Sequence, residues 1–244
     1  MNLQEWFDEV KRQFILNFIN DNRWQFLFNG LIVTLRITFF ALLLGTVIGV
    51  VISIVRSTYD KTQGAIRSVP GRILLKFFNA ICKIYLTVIR GTPVVVQLMI
   101  FFFVILVTIR SGELIGIIAF GINSGAYIAE IFRSGIMSID PGQAEAGRSL
   151  GFNYIQTMRY IIIPQAFKNI LPTLANEFIV LLKETAVVGY VAVQDLTKAG
   201  DIIRGRTFSA FMPLIAVALI YLALVMFFTR LVGLLERRLR SNER

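Results

Sequence analysis

The stretch DPGQAEAGRSLGFNYIQTMRYIIIPQAFKNILP, residues 140–172, decides how this chain is read. It is polar and helix-broken, yet it sits between long apolar runs. A chain built mostly of such runs has little use for a long patterned loop unless something docks on it. Ala144, Ala146 and Gly147 leave one helix face nearly flat for close packing, and Gly151 can end that helix in the left-handed region. Pro164 disfavours continuation of the preceding helix and should push Ile163 toward extended geometry. The bland alternative is an ordinary amphipathic connector.

Around this loop the composition is that of a membrane protein. Of 244 residues 56% are hydrophobic, the mean hydropathy is +0.70 and 21 residues are phenylalanine. A soluble domain would have to hide several apolar runs longer than its core could take. The expected fold class is all-α: a polytopic membrane protein of about five transmembrane helices, one domain over 1–244 with its core at 22–240. The net charge of +10 is explained by an excess of Lys and Arg on the cytoplasmic side, so the lipid bilayer is the expected partner and nucleic acid is not. The amino terminus is mixed in charge and lacks the apolar core of a cleavable signal. Cys82 is the single cysteine and histidine is absent, which removes intramolecular disulfides, the common metal sites and the usual general base. No catalytic site and no bound metal or cofactor is expected.

Five apolar stretches are expected to cross the membrane: 26–55, 92–109, 114–137, 169–190 and 208–235. Each can traverse a hydrocarbon core of about 30 Å at ~1.5 Å per residue, the second least comfortably. An odd number of spans puts the termini on opposite sides. The tail 236–244 is basic and should be cytoplasmic, which leaves the amino terminus outside. The first connection carries Arg56, Lys61, Arg67, Arg72, Lys76, Lys83 and Arg90 against Asp60, so it belongs inside. Lys198, Arg204 and Arg206 fall outside by alternation, a mild violation outweighed by the first loop and the tail.

Two segments look like surface helices. Over 72–90, Ile73, Leu74, Leu75, Phe77, Phe78, Ile81, Ile84 and Tyr85 alternate with Lys76, Asn79 and Lys83 at helical spacing. That pattern suits an interfacial helix on the inner leaflet; the alternative, another span, is made expensive by the lysines. Segment 1–20, with Trp6, Phe7, Val10, Phe14, Ile15 and Phe18, reads as an amino-terminal surface helix on the outer side.

Several motifs together carry a resemblance. Glu145-Ala146-Gly147, then Gly151, Ile161 and Pro164, resemble the EAA loop of ABC-importer permeases. RGTPVVVQL (90–98) and NSGAYIAEIFRSGI (123–136) resemble the second core span and the third span of polar amino-acid permeases, similar to those for histidine, arginine and glutamine. The likeness runs from about residue 30 to the carboxyl end. Gly147 replaces the motif's second alanine and Ile163 its usual leucine, small changes that keep the packing logic. The resemblance implies a type I importer of a prokaryotic cell membrane. Two permease copies, identical or paralogous, would pair with two cytosolic ATPase subunits and an extracytoplasmic amino-acid-binding protein. The loop at 140–170 would be a cytoplasmic coupling loop, with Gln143, Glu145, Ala146, Gly147, Gly151 and Pro164 seating the ATPase. The chain shows no GxxxxGK(S/T) sequence, so ATP and Mg would be used by the partner ATPase alone.

A polar substrate needs convergent polar groups near mid-membrane. Asn123 lies about 15 Å into the third span, with Tyr127 one turn further on the same face. They can contact substrate or simply bridge helices. Gln97 in the second span carries the same two readings. In the fourth stretch Lys183, Glu184 and Thr185 stand inside apolar sequence. Glu184 must meet a cation there, either a basic side chain or the transported molecule. Lys183 diverges from it by ~100° and is a poor direct partner. If Glu184 faces the path, cationic amino acids are the expected cargo. Glu130 and Arg133 can pair along one helix and stiffen the junction with the loop; Arg36 can snorkel or bind a neighbouring carboxylate. The remaining alternatives are an ion- or proton-coupled secondary transporter, which leaves the patterned loop unexplained, and a membrane hydrolase, for which no nucleophile and base share a helix face.

Overall fold

The computed structural model describes residues 2–62 and 69–241, and every regular element among them is helical. Arg67 of the first basic connection and residues 242–244 of the tail lie outside the described residues. The spine is a pair of long helices, α2 (Trp24–Thr62) and α5 (Gly112–Met137). They run parallel: Ile37 meets Gly116, Gly45 meets Gly121 and Ser124, and Gly49 meets Ile128 and Ala129. A Cβ on Gly49 would fall 2.6 Å from Ile128 Cγ2, and one on Gly121 2.7 Å from Leu44 Cδ2, so these backbones approach as closely as glycine permits. Ile37, Ala41, Ala119 and Phe120 form the buried centre with Leu98, Leu181 and Val188.

Among the described residues α2, α5 and α10 (Phe211–Ser241) are each long and apolar enough to cross a membrane. The second crossing differs from the expectation. The amphipathic helix is present as α3 (Val69–Gly91) and exposes Ile73, Phe77, Phe78, Ile81 and Ile84. One side of its last turns, however, is packed against α5: Leu86 is buried, and Tyr85 Oη donates to the Ile122 carbonyl at 2.5 Å. After a bend of 108° the chain continues as α4 (Val94–Ile100) and a π-helical turn, Phe101–Ile105. The rise from Val94 to Ile105 is only about 18 Å, too short to cross alone; α3 and this segment are long and apolar enough only when taken together. Pro93, which lacks an N–H and sits in extended geometry, sets the break.

The fourth stretch folds as α8 (Ile163–Glu184), starting earlier and ending sooner than 169–190. It carries Lys168, Glu177, Lys183 and Glu184 and is less apolar than α2, α5 and α10. It packs on α5, where Gly135 receives Ile170, and on α10, where the Phe178 and Phe228 rings lie 4.8 Å apart. A 3₁₀ turn, Thr185–Val191, leads from it to α9 (Leu196–Thr207). Asp195 caps α9, accepting from the Thr197 and Lys198 amides at 3.1 and 2.9 Å. On the exposed side of α9, Lys198 and Arg204 both donate to Asp201 and hold its carboxyl below the usual range.

The amino-terminal α1 (Leu3–Phe14) leads through a π turn to Asn17, which is fully buried. Asn17 Oδ1 accepts from Thr207 Oγ1 at 2.8 Å, so this segment sits at the same end of the bundle as α9. The loop that began the sequence reading occupies the opposite end, at the foot of α5.

Candidate coupling face and substrate path

The loop folds as two short helices that lock on each other. Asp140 begins α6 (Pro141–Ser149): its Oδ1 accepts from the Gly142 amide at 2.6 Å, and Pro141 occupies the first turn, where no N–H is needed. The helix ends through Gly151, whose φ of +82° is the left-handed geometry expected from sequence. Asn153 then caps α7 (Tyr154–Thr157) in a reciprocal box with Gln156. Gly147 is buried where the two helices cross. A Cβ there would stand 2.9 Å from Thr157 Oγ1 and 3.0 Å from Ile161 Cδ1. Gln143 Oε1 accepts from Gln165 Nε2 at 3.2 Å and ties α6 to the start of α8. Beneath, Ile136, Ile162, Ala166 and Ile170 form a small core of their own.

One local expectation fails. Ile163 is helical (φ −62°, ψ −43°), not extended. The residues before Pro164, Met158–Ile162, form a π turn. The widened turn accommodates the proline ring and its missing donor without stopping the chain, so α7 runs on into α8. Glu145, Ala146 and Arg148 point away from the bundle, and Leu150, Ile155 and Tyr160 remain exposed beside them. The outer surface of the loop is thus a mixed polar and apolar face with a rigid underside.

The candidate path residues divide between three places. Asn123 and Gln97 are buried and satisfied by each other: Asn123 Nδ2 donates to Gln97 Oε1 at 3.0 Å, and Gln97 Nε2 donates to the Ile89 and Thr92 carbonyls at 2.7 and 3.0 Å. They strap the α3–α4 bend to α5. Thr185 is also fully buried; its hydroxyl bonds the Leu182 carbonyl at 3.0 Å and pairs with Thr38 Oγ1 at 3.3 Å, which fixes the end of α8 on α2. Tyr127 stands apart, its ring under the Arg90 guanidinium at 5.5 Å, on a cavity lined by basic residues.

Glu184 is the exception to this self-sufficiency. It is half-buried in the last turn of α8 and has no hydrogen-bond or ion-pair partner among the described residues. Two turns earlier on the same face is Glu177, also half-buried and also without such a partner among the described residues. The sequence reading missed Glu177, although its spacing of seven from Glu184 was visible. Two other charge groups named from the sequence are paired. Arg133 bridges Glu130 at 2.6 Å and Asp60 at 3.5 Å, pinning α5 to the foot of α2, and Arg36 pairs with Glu113 at 3.1 Å.

Comparison with known proteins agrees with this arrangement. The family described as "Binding-protein-dependent transport system inner membrane component" matches residues 68–241. The arginine transport system permease protein ArtQ of Bacillus subtilis (strain 168) is 36% identical over 228 residues, covering 89% of this chain and 94% of that protein. The glutamine transport system permease protein GlnP of Escherichia coli (strain K12) is 36% identical over 166 residues, covering 66% of this chain and 76% of that one. The solved structure described as an amino acid ABC transporter with histidines superposes with a TM-score of 0.77 at 41% identity, covering 88% of this chain and 94% of its counterpart. The chain therefore belongs to the inner membrane components of binding-protein-dependent transport systems, as a permease subunit.

Proposed function

We propose that this permease carries cationic amino acids into the cytoplasm of a prokaryote by ATP-driven alternating access. The observation that carries the substrate class is Glu184, a half-buried carboxylate at the carboxyl end of α8 with no ion-pair partner among the described residues. A carboxylate held inside the bundle without an ion-pair partner favours a cation. The Gln97–Asn123 strap and Thr185 give this place rigid walls, while Tyr127 stands apart on the basic cavity. The similar arginine and glutamine permeases agree with an amino-acid cargo.

In this reading the α6–α7 face lies in the cytoplasm with the carboxyl tail, and the amino terminus lies outside. Gln143, Glu145, Ala146, Gly147, Gly151 and Pro164 seat the cytosolic ATPase, present in two copies and using ATP and Mg; the permease itself binds no cofactor. A second permease copy completes the path, and an extracytoplasmic binding protein delivers the substrate. Closure of the ATPase pair pushes α6. The Gly147 crossing and the Gln143–Gln165 tie pass the push to α8, whose far end carries Glu184.

The test is uptake by the reconstituted importer, comparing arginine and lysine with glutamine. Glu184→Gln should reduce cationic uptake about tenfold or more while sparing the neutral substrate, because only the cation loses a charged partner. Equal loss of both would remove Glu184 from substrate selection.

A further inference from the structure

A cavity of about 570 Å³ opens between α2, α3 and α5, and its lining is strongly basic. Arg56, Lys83 and Arg90 face it with Thr87 and Gly91, and Glu130 is its one carboxylate. That carboxylate is already engaged, accepting three hydrogen bonds from Arg133 at 2.6 to 3.2 Å. Arg56, Lys83, Arg90 and the adjoining Arg133 are four cations against the two carboxylates Glu130 and Asp60, so the place keeps an excess of two positive charges. Arg56 Nε is moreover buried with no hydrogen-bond partner. Arg90 is oriented by its stacking on Tyr127. Cations gathered in this way around an open cavity, with a hydroxyl beside them, suit a phosphate oxyanion.

Depth selects the source of the phosphate. Glu130 lies about 27 Å along α5 from Gly112, close to the full thickness of a hydrocarbon core. Glu184 is elsewhere, because the turn after it meets Gly116, roughly 21 Å nearer the opposite end of α5 than Glu130. The cavity is thus a separate place from the proposed substrate site. On α3, Lys83, Thr87 and Arg90 share one face, and Phe77, Ile81, Ile84 and Val88 form an exposed apolar row beside it. One helix offers a headgroup site and a wall for acyl chains together.

We propose that Arg56, Lys83, Arg90 and Thr87 bind the phosphate of an anionic phospholipid of the inner leaflet. The leaflet rests on the orientation proposed above; the lipid chemistry rests on the cavity alone. A lipid held there bridges α2, α3 and α5 next to the Arg133–Glu130–Asp60 junction, and stabilises the foot of the bundle above the coupling face.

The experiment offers the purified full-length chain to phosphatidylcholine vesicles doped with phosphatidylglycerol, then counts retained lipid by native mass spectrometry. Wild type should keep one phosphatidylglycerol per chain and exclude phosphatidylcholine. The triple variant Arg56→Gln, Lys83→Gln, Arg90→Gln should retain about tenfold less or lower. Should the triple variant not fold, Lys83→Gln alone, at an exposed position, should still reduce retention about threefold or more. Lys76→Gln removes an equal charge from the same helix outside the cavity and should retain lipid normally. Unchanged retention in the cavity variants, or equal loss in Lys76→Gln, overturns the site. Displacement of the lipid by millimolar inorganic phosphate identifies free phosphate as the ligand and overturns the lipid; displacement by arginine makes the cavity part of the substrate path and does the same. Retention needs neither ATP nor transport, so failure of the uptake test and failure of this one are distinguishable.

Discussion

The α2–α5 seam and the α6–α7 face both use a glycine to bring two helices into contact, but they end differently. Along the seam Gly45, Gly49, Gly121 and Gly125 let backbones touch over several turns, and the contact is closed on both sides by buried residues, while α2 keeps Phe39, Leu43, Val47 and Val51 exposed on its outer face. At the loop, Gly147 fixes the underside while Glu145, Arg148, Leu150 and Ile155 stay exposed on top. The first is a surface the chain completes for itself. The second is stiffened from beneath and left open above, which suits the coupling role proposed for it. Close packing alone therefore does not mark a functional site; close packing under an exposed patterned face does.

The sharpest way to break the comparison is to add volume to each glycine. In Gly45→Val the new side chain meets Ser124 Oγ and the Gly121 carbonyl, with both helices already in contact. Destabilisation of about 3 kcal/mol or more is expected, read as a lower thermal midpoint in detergent and poor recovery of folded protein. Near-normal stability would show that α2 and α5 can slide apart, and the seam would lose its role as a spine.

Gly147→Val should act on function rather than on the fold. The clash with Thr157 and Ile161 tilts α6 but leaves α2, α5 and α10 untouched. The folded permease should be recovered in normal amounts while co-purification with its ATPase falls at least about tenfold. Glu145→Arg, on the exposed face, should weaken capture by a smaller factor without any loss of stability. If both variants capture the ATPase as well as wild type does, the loop is not the dock and the coupling proposal fails.

Much of this was legible in the sequence, and the failures share a cause. Long apolar runs and the left-handed Gly151 follow from local rules, and each is present. Ile163 was misread because the rule that a proline breaks a helix knows nothing of a π turn, which admits the ring while the helix continues. The 92–109 run is apolar as expected, but it is short for a crossing and the 108° bend joins it to α3, a direction that hydropathy does not carry. The Gln97–Asn123 strap and the Thr38–Thr185 pair needed three dimensions, since their members lie far apart in the chain. Glu177 was overlooked because one carboxylate in an apolar helix drew attention from its neighbour two turns away.

At the α9 end the self-completed character of the bundle can be tested by a smaller change. Asp195 is fully buried and caps α9 through two backbone amides, and the Leu196 amide is taken by Thr34 Oγ1 at 3.1 Å. Asp195→Ala should destabilise by about 1–2 kcal/mol, seen as a lower thermal midpoint with ATPase capture unchanged. A loss of capture as large as that of Gly147→Val would mean that the two ends are strongly coupled through α8.

The smallest effect is expected where a charge pair looks most prominent. Arg36 and Glu113 join α2 to α5 at 3.1 Å, but the arginine side chain is 50% exposed. Such pairs contribute roughly 0–1 kcal/mol, so Arg36→Gln should leave the thermal midpoint nearly unchanged. Arg133 is the contrasting case. It serves Glu130 and Asp60 together and is only 26% exposed, so Arg133→Gln strands two carboxylates at the foot of α2 and α5. Its effect should exceed that of Arg36→Gln in a side-by-side melt and should shrink in high salt by a smaller fraction, since the less exposed network is less screened. Equal effects would mean that the seam glycines, and not the charges, set the stability of both ends of the α2–α5 pair.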